Sequence, residues 1–176
     1  MIIKTATQVG HRVIRKKSQD VADPKTKTVK KIVQDLVDSM RHHELVGMAA
    51  PQIGRNITVF VTEIRKTKLR KSQDVDKLRV FINPKIIRRS KEKVKGWEGC
   101  GSVASAQLFG MVSRPKSITV RALDENGNSF TLEATGLLAR VIQHEFDHID
   151  GVVFTDKADV STFMSRNEYL KLKSKK

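Results

Sequence analysis

The feature that most constrains this chain is the pentapeptide His-Glu-Phe-Asp-His at 144–148, which has the pattern H-E-x-x-H. It lies within residues 135–150, where apolar side chains recur with the period of an amphipathic helix. Side chains four positions apart lie on one helix face, so the imidazoles of His144 and His148 can reach a single metal ion. Glu145 lies beside them, within reach of a water molecule bound to that ion. Histidine pairs also occur without a metal, but the buried helix face favours a metal centre.

A catalytic metal needs a third protein ligand and an open coordination position. No histidine follows His148, so a downstream histidine does not supply that ligand. Glu168 offers a carboxylate, which is typical of one class of zinc protease. Cys100 is the only cysteine and stands between two glycines. A lone cysteine is usually a small buried apolar residue, yet these glycines leave the backbone around the sulfur uncovered, which favours a ligand.

The patterns around this helix predict one α+β domain that covers residues 1–176. A first amphipathic helix is expected over 24–43 and a last helix over 159–170. Strands are expected over 57–64, 78–82, 86–94, 117–123 and 129–134, the last two as a hairpin. Residues 65–77 are expected to form an exposed basic loop, and residues 171–176 a flexible basic tail.

The composition limits the classes of partner and compartment. With 34 Lys+Arg against 19 Asp+Glu, the formal net charge is +15, which attracts phosphate backbones and acidic surfaces. Aromatic residues make up only 5%, so sequence-specific nucleic-acid binding through a base-stacking surface is not expected. No stretch of about 18 apolar residues is present, which excludes a membrane-spanning helix. A single cysteine excludes an internal disulfide framework and favours the cytoplasm, with an organelle as the alternative.

Two further segments extend the H-E-x-x-H pattern into a resemblance. The three segments read LVGMAAPQIG at 45–54, EGCGS at 98–102 and QHEFDHIDG at 143–151. In this order they are similar to the signatures of the peptide deformylase family, G-x-G-x-A-A-P-Q, E-G-C-x-S and Q-H-E-x-D-H-x-x-G. Three separate matches make the resemblance specific, and it covers nearly the whole chain. It implies mixed or antiparallel β-sheets packed around a central helix that carries H-E-x-x-H.

The resemblance implies a metal-dependent hydrolase that removes the N-formyl group from the N-terminal formylmethionine of newly made proteins and releases formate. Cys100, His144 and His148 would bind one divalent ion, Fe²⁺ in the cell, with Zn²⁺, Ni²⁺ or Co²⁺ as substitutes. Metal-bound hydroxide would attack the formyl carbon, and Glu145 would act as general base and then as general acid. The implied partner is the formylated nascent polypeptide.

The same resemblance implies roles for residues around the centre. The side-chain amide of Gln52 and the backbone N–H of Gly101 would stabilise the oxyanion. The implied substrate-binding residues are Val46, Gly47, Gly99 and Val141, and the implied supporting ion pair is Glu98 with Arg114. Taken alone, Gln52 fits an amide that satisfies nearby backbone groups, and the ion pair fits an ordinary exposed salt bridge.

Three residues depart from the usual signatures. Leu45 replaces the first glycine of G-x-G, Gly101 replaces the common leucine of E-G-C-L-S, and Ala104 stands where many relatives have proline. Because glycine is conformationally free, Gly101 predicts a weakened oxyanion donor and a slower enzyme, and Gly101→Leu is expected to raise kcat/KM. Arg140, one turn before His144, is expected near the methionine pocket, where it would shift substrate preference.

Two alternatives stay open at the level of the sequence. A zinc protease would keep the H-E-x-x-H residues but use Glu168 in place of Cys100. A non-catalytic relative would bind ribosomes or RNA through its positive charge, although a complete set of candidate ligands argues against it. For a deformylase, residues 65–77 and 171–176 are candidate ribosome contacts, with a solvated charged face as the simpler interpretation. A monomer is the default state.

Overall fold

The computed structural model of the chain describes residues 3–66 and 75–174. The α-helices in this part are α1 (Lys27–His42), α2 (Gly136–Ile149) and α3 (Arg166–Ser174). The β-strands are β1 (Gly47–Ala49), β2 (Val59–Ile64), β3 (Asp76–Arg89), β4 (Lys93–Gly99), β5 (Leu108–Pro115), β6 (Ser117–Leu123), β7 (Ser129–Thr135) and β8 (Ala158–Ser165). Short 3-10 turns span Arg12–Arg15, Ala50–Ile53, Ala104–Ala106 and Phe154–Asp156. Of the helices described here, none is both long enough and apolar enough to cross a membrane.

The strands form two antiparallel sheets. The larger sheet has the order β1-β2-β3-β6-β7, and the smaller sheet has the order β4-β5-β8. β1 and β4 are therefore edge strands, and one side of each backbone is not paired within the described residues. Gly47 lies in β1 and Gly99 ends β4.

Helices α1 and α2 pack on opposite faces of the larger sheet because the side chains of β2 alternate. Val59 and Val61 lie in one core cluster with Leu36 of α1, whereas Phe60 lies in a second cluster with Ile142 of α2. All five side chains are fully buried. The alternation of side chains along β2 thus fixes the position of the helix that carries the H-E-x-x-H pattern.

The other side of α2 packs on the smaller sheet. His148 is 1% exposed there, and Cys100, which directly follows β4, is 2% exposed. A third cluster of buried side chains, including Val112 and Phe154, surrounds Cys100. The predicted α+β fold, with antiparallel sheets around the H-E-x-x-H helix, is confirmed.

Local hydrogen bonds determine the start of α1 and the turn of the predicted hairpin. Helix α1 begins at Lys27, somewhat later than predicted, because the hydroxyl of Thr26 accepts the N–H of Val29 at 3.2 Å and caps the first turn. Strands β6 and β7 form the predicted hairpin. The carboxylate of Asp124 accepts the N–H of Asn128 at 2.8 Å and closes the hairpin turn.

The strand predicted to stop at Asn83 instead continues to Arg89. Asn83 adopts a φ of 49° at a bulge, where the missing N–H of Pro84 costs no ladder hydrogen bond. The Asn83 side chain accepts the N–H of Val21 and donates to its carbonyl, each at 2.8 Å. The predicted strand over 86–94 is consequently divided between the end of β3 and the start of β4.

The helix predicted over 159–170 is wrong in its first half. Residues Ala158–Ser165 form β8, which pairs antiparallel with β5 through Phe109 and Met164. The β-branched residues Val160 and Thr162 favour this extended backbone over a helix. The sequence therefore contains a strand where the apolar spacing resembled a helix.

Two predicted polar segments are only partly covered by the structure. Helix α3 continues to Ser174, so most of the predicted flexible tail is helical, and residues 175–176 lie outside the described residues. Of the predicted loop over 65–77, residues 67–74 lie outside the described residues, and Asp76 already belongs to β3.

Candidate metal centre

Cys100, His144 and His148 come together between α2 and the end of β4. Their ligand atoms all lie within 4.8 Å of one another, and the Sγ of Cys100 lies 3.2 Å from the Nε2 of His148. Metal–sulfur and metal–nitrogen bonds are about 2.0–2.3 Å long, so one ion can reach all three atoms. One thiolate and two imidazoles suit a first-row divalent ion. The residues present therefore fit a metal.

The protonation states of this cluster also fit metal binding. Burial alone would raise the pKa of Cys100. The charges and hydrogen bonds of His148 and His144 have the larger effect and lower this pKa well below the usual thiol value. The Nδ1 of His144 lies 2.9 Å from an oxygen of Glu98, to which it donates a proton. Burial would lower the pKa of His144, but Cys100 and Glu98 outweigh burial and hold this pKa well above its usual value. The Nε2 of His144 therefore loses its proton when it binds a metal.

Glu98 belongs to a buried row of alternating charges behind the histidines. Its carboxylate accepts from the Nε and Nη2 of Arg114 at 2.6 and 2.8 Å. Arg114 also donates to Asp147 of α2 at 2.8 Å, and Asp147 accepts from Lys157 at 2.5 Å. Burial would raise the pKa of Glu98, but Arg114 and His144 hold it well below its usual range. Glu98 is therefore a stable anion that orients His144.

Glu145 lies beside the cluster in a space that Gly47 leaves open. A Cβ added at Gly47 would lie 2.8 Å from both the Cγ and the Cδ of Glu145. The Glu145 side chain is buried, and its Oε2 has no hydrogen-bond partner among the described residues. Burial raises its pKa to about 7, so the carboxyl group can both take up and release a proton near neutral pH.

Gln52 places its amide against the same cluster. Its Oε1 accepts the N–H of Ala49 at 2.8 Å, which fixes the side chain within the 3-10 turn after β1. Its Nε2 then lies 3.4 Å from the Oγ of Ser102 and 3.7 Å from the Sγ of Cys100. The amide donor thus points towards the position that a metal-bound group would occupy.

Gly101 lies in a loop that neighbouring side chains hold in place. A Cβ at this position would lie 3.4 Å from the Cδ1 of Leu45 and 3.5 Å from the Cβ of Ala6. The amide of Gln8 donates to the Gly101 carbonyl at 2.8 Å and accepts the N–H of Ser105 at 3.0 Å. Leu45 and Ala6 would therefore be in van der Waals contact with a side chain at position 101.

The turn after this loop has an unusual backbone. Ala104, Ser105 and Ala106 have φ values of 46°, 51° and 62°, the left-handed region that glycine prefers. Proline cannot adopt a positive φ, so Ala104 suits this conformation better than the proline of many relatives.

Three of the four predicted substrate-binding residues lie on the two edge strands and on α2, and the fourth, Val46, directly precedes β1. The carbonyl of Val46 accepts the N–H of Glu63 at 2.9 Å, so the next residue, Gly47, turns its backbone groups to the open edge of β1. Gly99 ends the edge strand β4, and a Cβ there would lie 2.8 Å from the Phe109 ring. Val141 is buried one turn before Glu145. The cluster therefore lies between two strand edges that no other described segment pairs with.

The family model described as polypeptide deformylase matches residues 3–163. The chain belongs to the polypeptide deformylase family.

Individual relatives agree with this assignment. The peptide deformylase of Pseudothermotoga lettingae is 39% identical over 155 residues, which cover 88% of this chain and 82% of that protein. Peptide deformylase 1 of Clostridium perfringens is 40% identical over 156 residues, covering 89% of this chain and 98% of that protein. The crystal structure of the peptide deformylase from Thermotoga maritima is similar with a TM-score of 0.78 and 30% identity, covering 90% of this chain and 99% of that one.

In this member of the deformylase family, Glu168 does not lie at the cluster. Its side chain is 58% exposed on α3 and pairs with Lys171 at 2.7 Å. Among the described residues, the group that can hold a metal consists of Cys100, His144 and His148. The protease alternative, which needs Glu168 as a ligand, is therefore not favoured.

Sequence reasoning missed two residues of the charged row and did not foresee the contacts of Arg140. Arg140 was expected near a methionine pocket, but its guanidinium points at β4 and β5 and donates to Glu98 at 2.7 Å. Asp147 and Lys157 were assigned no role. A charged residue in the otherwise apolar stripe of α2, one turn before His144, was the signal available for Arg140.

Proposed function

We propose that this chain is the metal-dependent hydrolase that its family implies, which removes the formyl group from N-terminal formylmethionine and releases formate. The observation that carries the proposal is the convergence of Cys100, His144 and His148 beside the buried carboxyl group of Glu145. The fold and the family membership support it independently.

Cys100, His144 and His148 would hold one divalent ion and leave a position open. When bound, such an ion supplies an activated water and polarises the formyl carbonyl. A thiolate with two imidazoles suits Fe²⁺, Zn²⁺, Ni²⁺ and Co²⁺ alike, and we propose Fe²⁺ as the ion in the cell. Glu98, with Arg114 behind it, would keep His144 in the tautomer that binds metal.

Glu145 would move the proton of the reaction. With a pKa of about 7, its carboxylate can take a proton from the attacking water and then give it to the leaving amine. The absence of a hydrogen-bond partner for its Oε2 among the described residues leaves that oxygen available for this transfer.

Gln52 and Gly101 would stabilise the negative charge that develops on the formyl oxygen. The Nε2 of Gln52 is already oriented by the bond from Ala49 to its Oε1. The backbone N–H of Gly101 does not depend on a side chain, and Gln8 and Leu45 restrain its loop. Donors that are fixed before the reaction cost no reorganisation when the charge appears.

The substrate would bind as an extended strand between β1 and β4. Both strands are sheet edges, and the backbone groups on their outer sides can pair with another extended chain. Val46 would fix the geometry of β1 through its bond to β2, and Val141 would line the space for the methionine side chain. This arrangement binds any peptide through its backbone and selects the first residue through its side chain.

We also propose that the partner is the formylated nascent chain at the ribosome and that the protein is a cytoplasmic, monomeric, single domain over 1–176. The net charge of +15 supports contact with ribosomal RNA. Lys171 and Lys173, exposed on α3, are candidate contacts. A simpler role for these lysines is to keep the protein solvated.

The proposed activity is tested with three peptides and Ni²⁺-loaded protein. Formyl-Met-Ala-Ser should release formate, acetyl-Met-Ala-Ser should release no acetate at a comparable rate, and a longer unblocked peptide should stay intact. Cleavage of internal peptide bonds would instead support a protease. Bound metal with no reaction on any of the three would support the non-catalytic alternative.

A further inference from the structure

We propose that Arg140 is a positioning residue, which fastens the helix that carries His144 to the strand that carries Glu98 and leads to Cys100. In this way it would set the spacing of the metal ligands. The inference rests on the proposed deformylase function and adds a residue to which that function assigns no role.

The guanidinium of Arg140 makes four hydrogen bonds with the smaller sheet. It donates to the carbonyls of Val94, Val112 and Gly96 at 2.6, 3.0 and 3.4 Å and to the carboxylate of Glu98 at 2.7 Å. The Arg140 side chain is 14% exposed, so little water competes for these donors. Arg140 thus joins α2 to both β4 and β5.

Arg140 completes the set of donors around Glu98. The Oε1 of Glu98 accepts from Arg114 at 2.6 Å and from Arg140, while its Oε2 accepts from Arg114 at 2.8 Å and from His144 at 2.9 Å. Arg114 lies on β5, in the same sheet as Glu98, and it contacts α2 at Asp147, beyond His144. Arg140 lies on α2, one turn before His144, and its bond adds a connection between Glu98 and the helix on the other side of the metal ligand.

The metal ligands come from two separate elements, so the connection that Arg140 makes between α2 and β4 bears on the spacing of the ligands. Cys100 follows β4, whereas His144 and His148 belong to α2. On one side of His144 the two elements are joined by Arg140, and on the other side by the bond from Arg114 to Asp147. The two connections together fix the distance between the thiolate and the imidazoles.

Gly96 provides the space that Arg140 occupies. A Cβ at Gly96 would lie 2.8 Å from the Cζ of Arg140 and 2.9 Å from its Nε and Nη2. A methyl group at this position would therefore displace the guanidinium while leaving the arginine in the chain. Gly96→Ala is thus a second way to break the same connection.

The experiment compares Arg140→Met, Arg140→Lys and Gly96→Ala with the wild type. Arg121→Met is the matched control, because Arg121 is exposed on β6 and its loss removes the same charge. Each metal-free protein is titrated with Co²⁺ to obtain the Kd and the visible absorption spectrum. The kcat and KM for formyl-Met-Ala-Ser are then measured separately.

Arg140→Met should weaken Co²⁺ binding about 10-fold and lower kcat by a similar factor, because groups that orient a ligating histidine contribute about 10- to 100-fold. KM should stay within about twofold, since the substrate edge of β4 is retained. Gly96→Ala should reproduce this pattern, with an altered Co²⁺ spectrum. Arg140→Lys should recover the Co²⁺ affinity to within about threefold, since an ammonium can still bond to Glu98.

Unchanged Co²⁺ affinity and spectrum in both Arg140→Met and Gly96→Ala would overturn the proposal. An increase in KM alone would also overturn it, because Arg140 would then act on peptide binding. If Arg140→Met does not fold, Gly96→Ala and Arg140→Lys decide the question. Absence of formate release by the wild type would refute the deformylase function, while the Co²⁺ titration would still test the role of Arg140.

Discussion

Replacing Gly47 by alanine tests whether Glu145 needs the space that this glycine leaves open. The added Cβ would lie 2.8 Å from the Cγ and Cδ of Glu145, whereas carbon atoms in contact are usually about 3.5–4.0 Å apart. β1 cannot retreat, because Gly47 pairs with Thr62 of β2 and the next residue, Met48, is fully buried. The Glu145 side chain must therefore move by about 1 Å.

This displacement should lower kcat/KM about 100-fold, the cost of a misplacement of about 1 Å in a catalytic site. The overpacking should also lower the free energy of unfolding by about 1–3 kcal/mol. For a chain of 176 residues, that loss corresponds to a decrease in Tm of about 2–12 °C. Activity should thus fall far more than the stability loss alone would explain.

The assay combines formate release with thermal unfolding of Gly47→Ala, Glu145→Ala and the double variant. Glu145→Ala removes the atoms that the new Cβ would meet, so Gly47→Ala should cost almost no stability in that background. The reasoning is refuted if Gly47→Ala destabilises both backgrounds equally, or if the single variant keeps the kcat/KM of the wild type.

Other contacts of the centre give three further tests. Cys100→Ser should weaken Co²⁺ binding at least about 100-fold in equilibrium titration, whereas a site ligated by Glu168 would keep its affinity. Glu98→Gln should destabilise the metal-free protein by about 3–5 kcal/mol in urea unfolding at about pH 7. The pKa of Glu98 lies below its usual 4.5, so the difference in unfolding free energy between Glu98→Gln and the wild type should shrink as the pH falls below 4.5. A difference that stays constant with pH would contradict the assignment of Glu98 as a buried anion. Gly101→Leu should lower kcat/KM by crowding Leu45, and adding Leu45→Gly should restore it; a single variant as active as the wild type would show that leucine fits without crowding.

The last of these tests reverses an expectation from the sequence. The signatures alone indicate that Gly101 weakens the oxyanion donor and that leucine would improve it. In the structure a Cβ at position 101 would already touch the Cδ1 of Leu45 at 3.4 Å, so the longer side chain of a leucine would have to share space with Leu45. Leu45 and Gly101, the two departures from the signatures, are therefore neighbours in the fold. The sequence alone does not show this, because the two segments are distant in the chain and meet only in the folded protein.

The metal ligands could be predicted because their spacing and their glycine neighbours lie within short segments. The hairpin turn at Asn126 and Gly127 is an equally local signal, and the hairpin is confirmed. The strand β8 could not be predicted, because its extended conformation depends on pairing with β5. Arg140 and Gly96 could not be connected from the sequence either, since their contact exists only once α2 lies on the smaller sheet.

The central claim is that Cys100, His144 and His148 hold the catalytic ion and that Glu145 moves the proton. The most direct measurement is formate release from formyl-Met-Ala-Ser by anaerobically purified protein reloaded with Ni²⁺, with Glu145→Ala assayed beside it and the metal content of both determined. The account predicts one bound ion in each protein and a loss of turnover of at least about 100-fold in the variant. Full turnover by metal-loaded Glu145→Ala, or no turnover by the metal-loaded wild type, would contradict it.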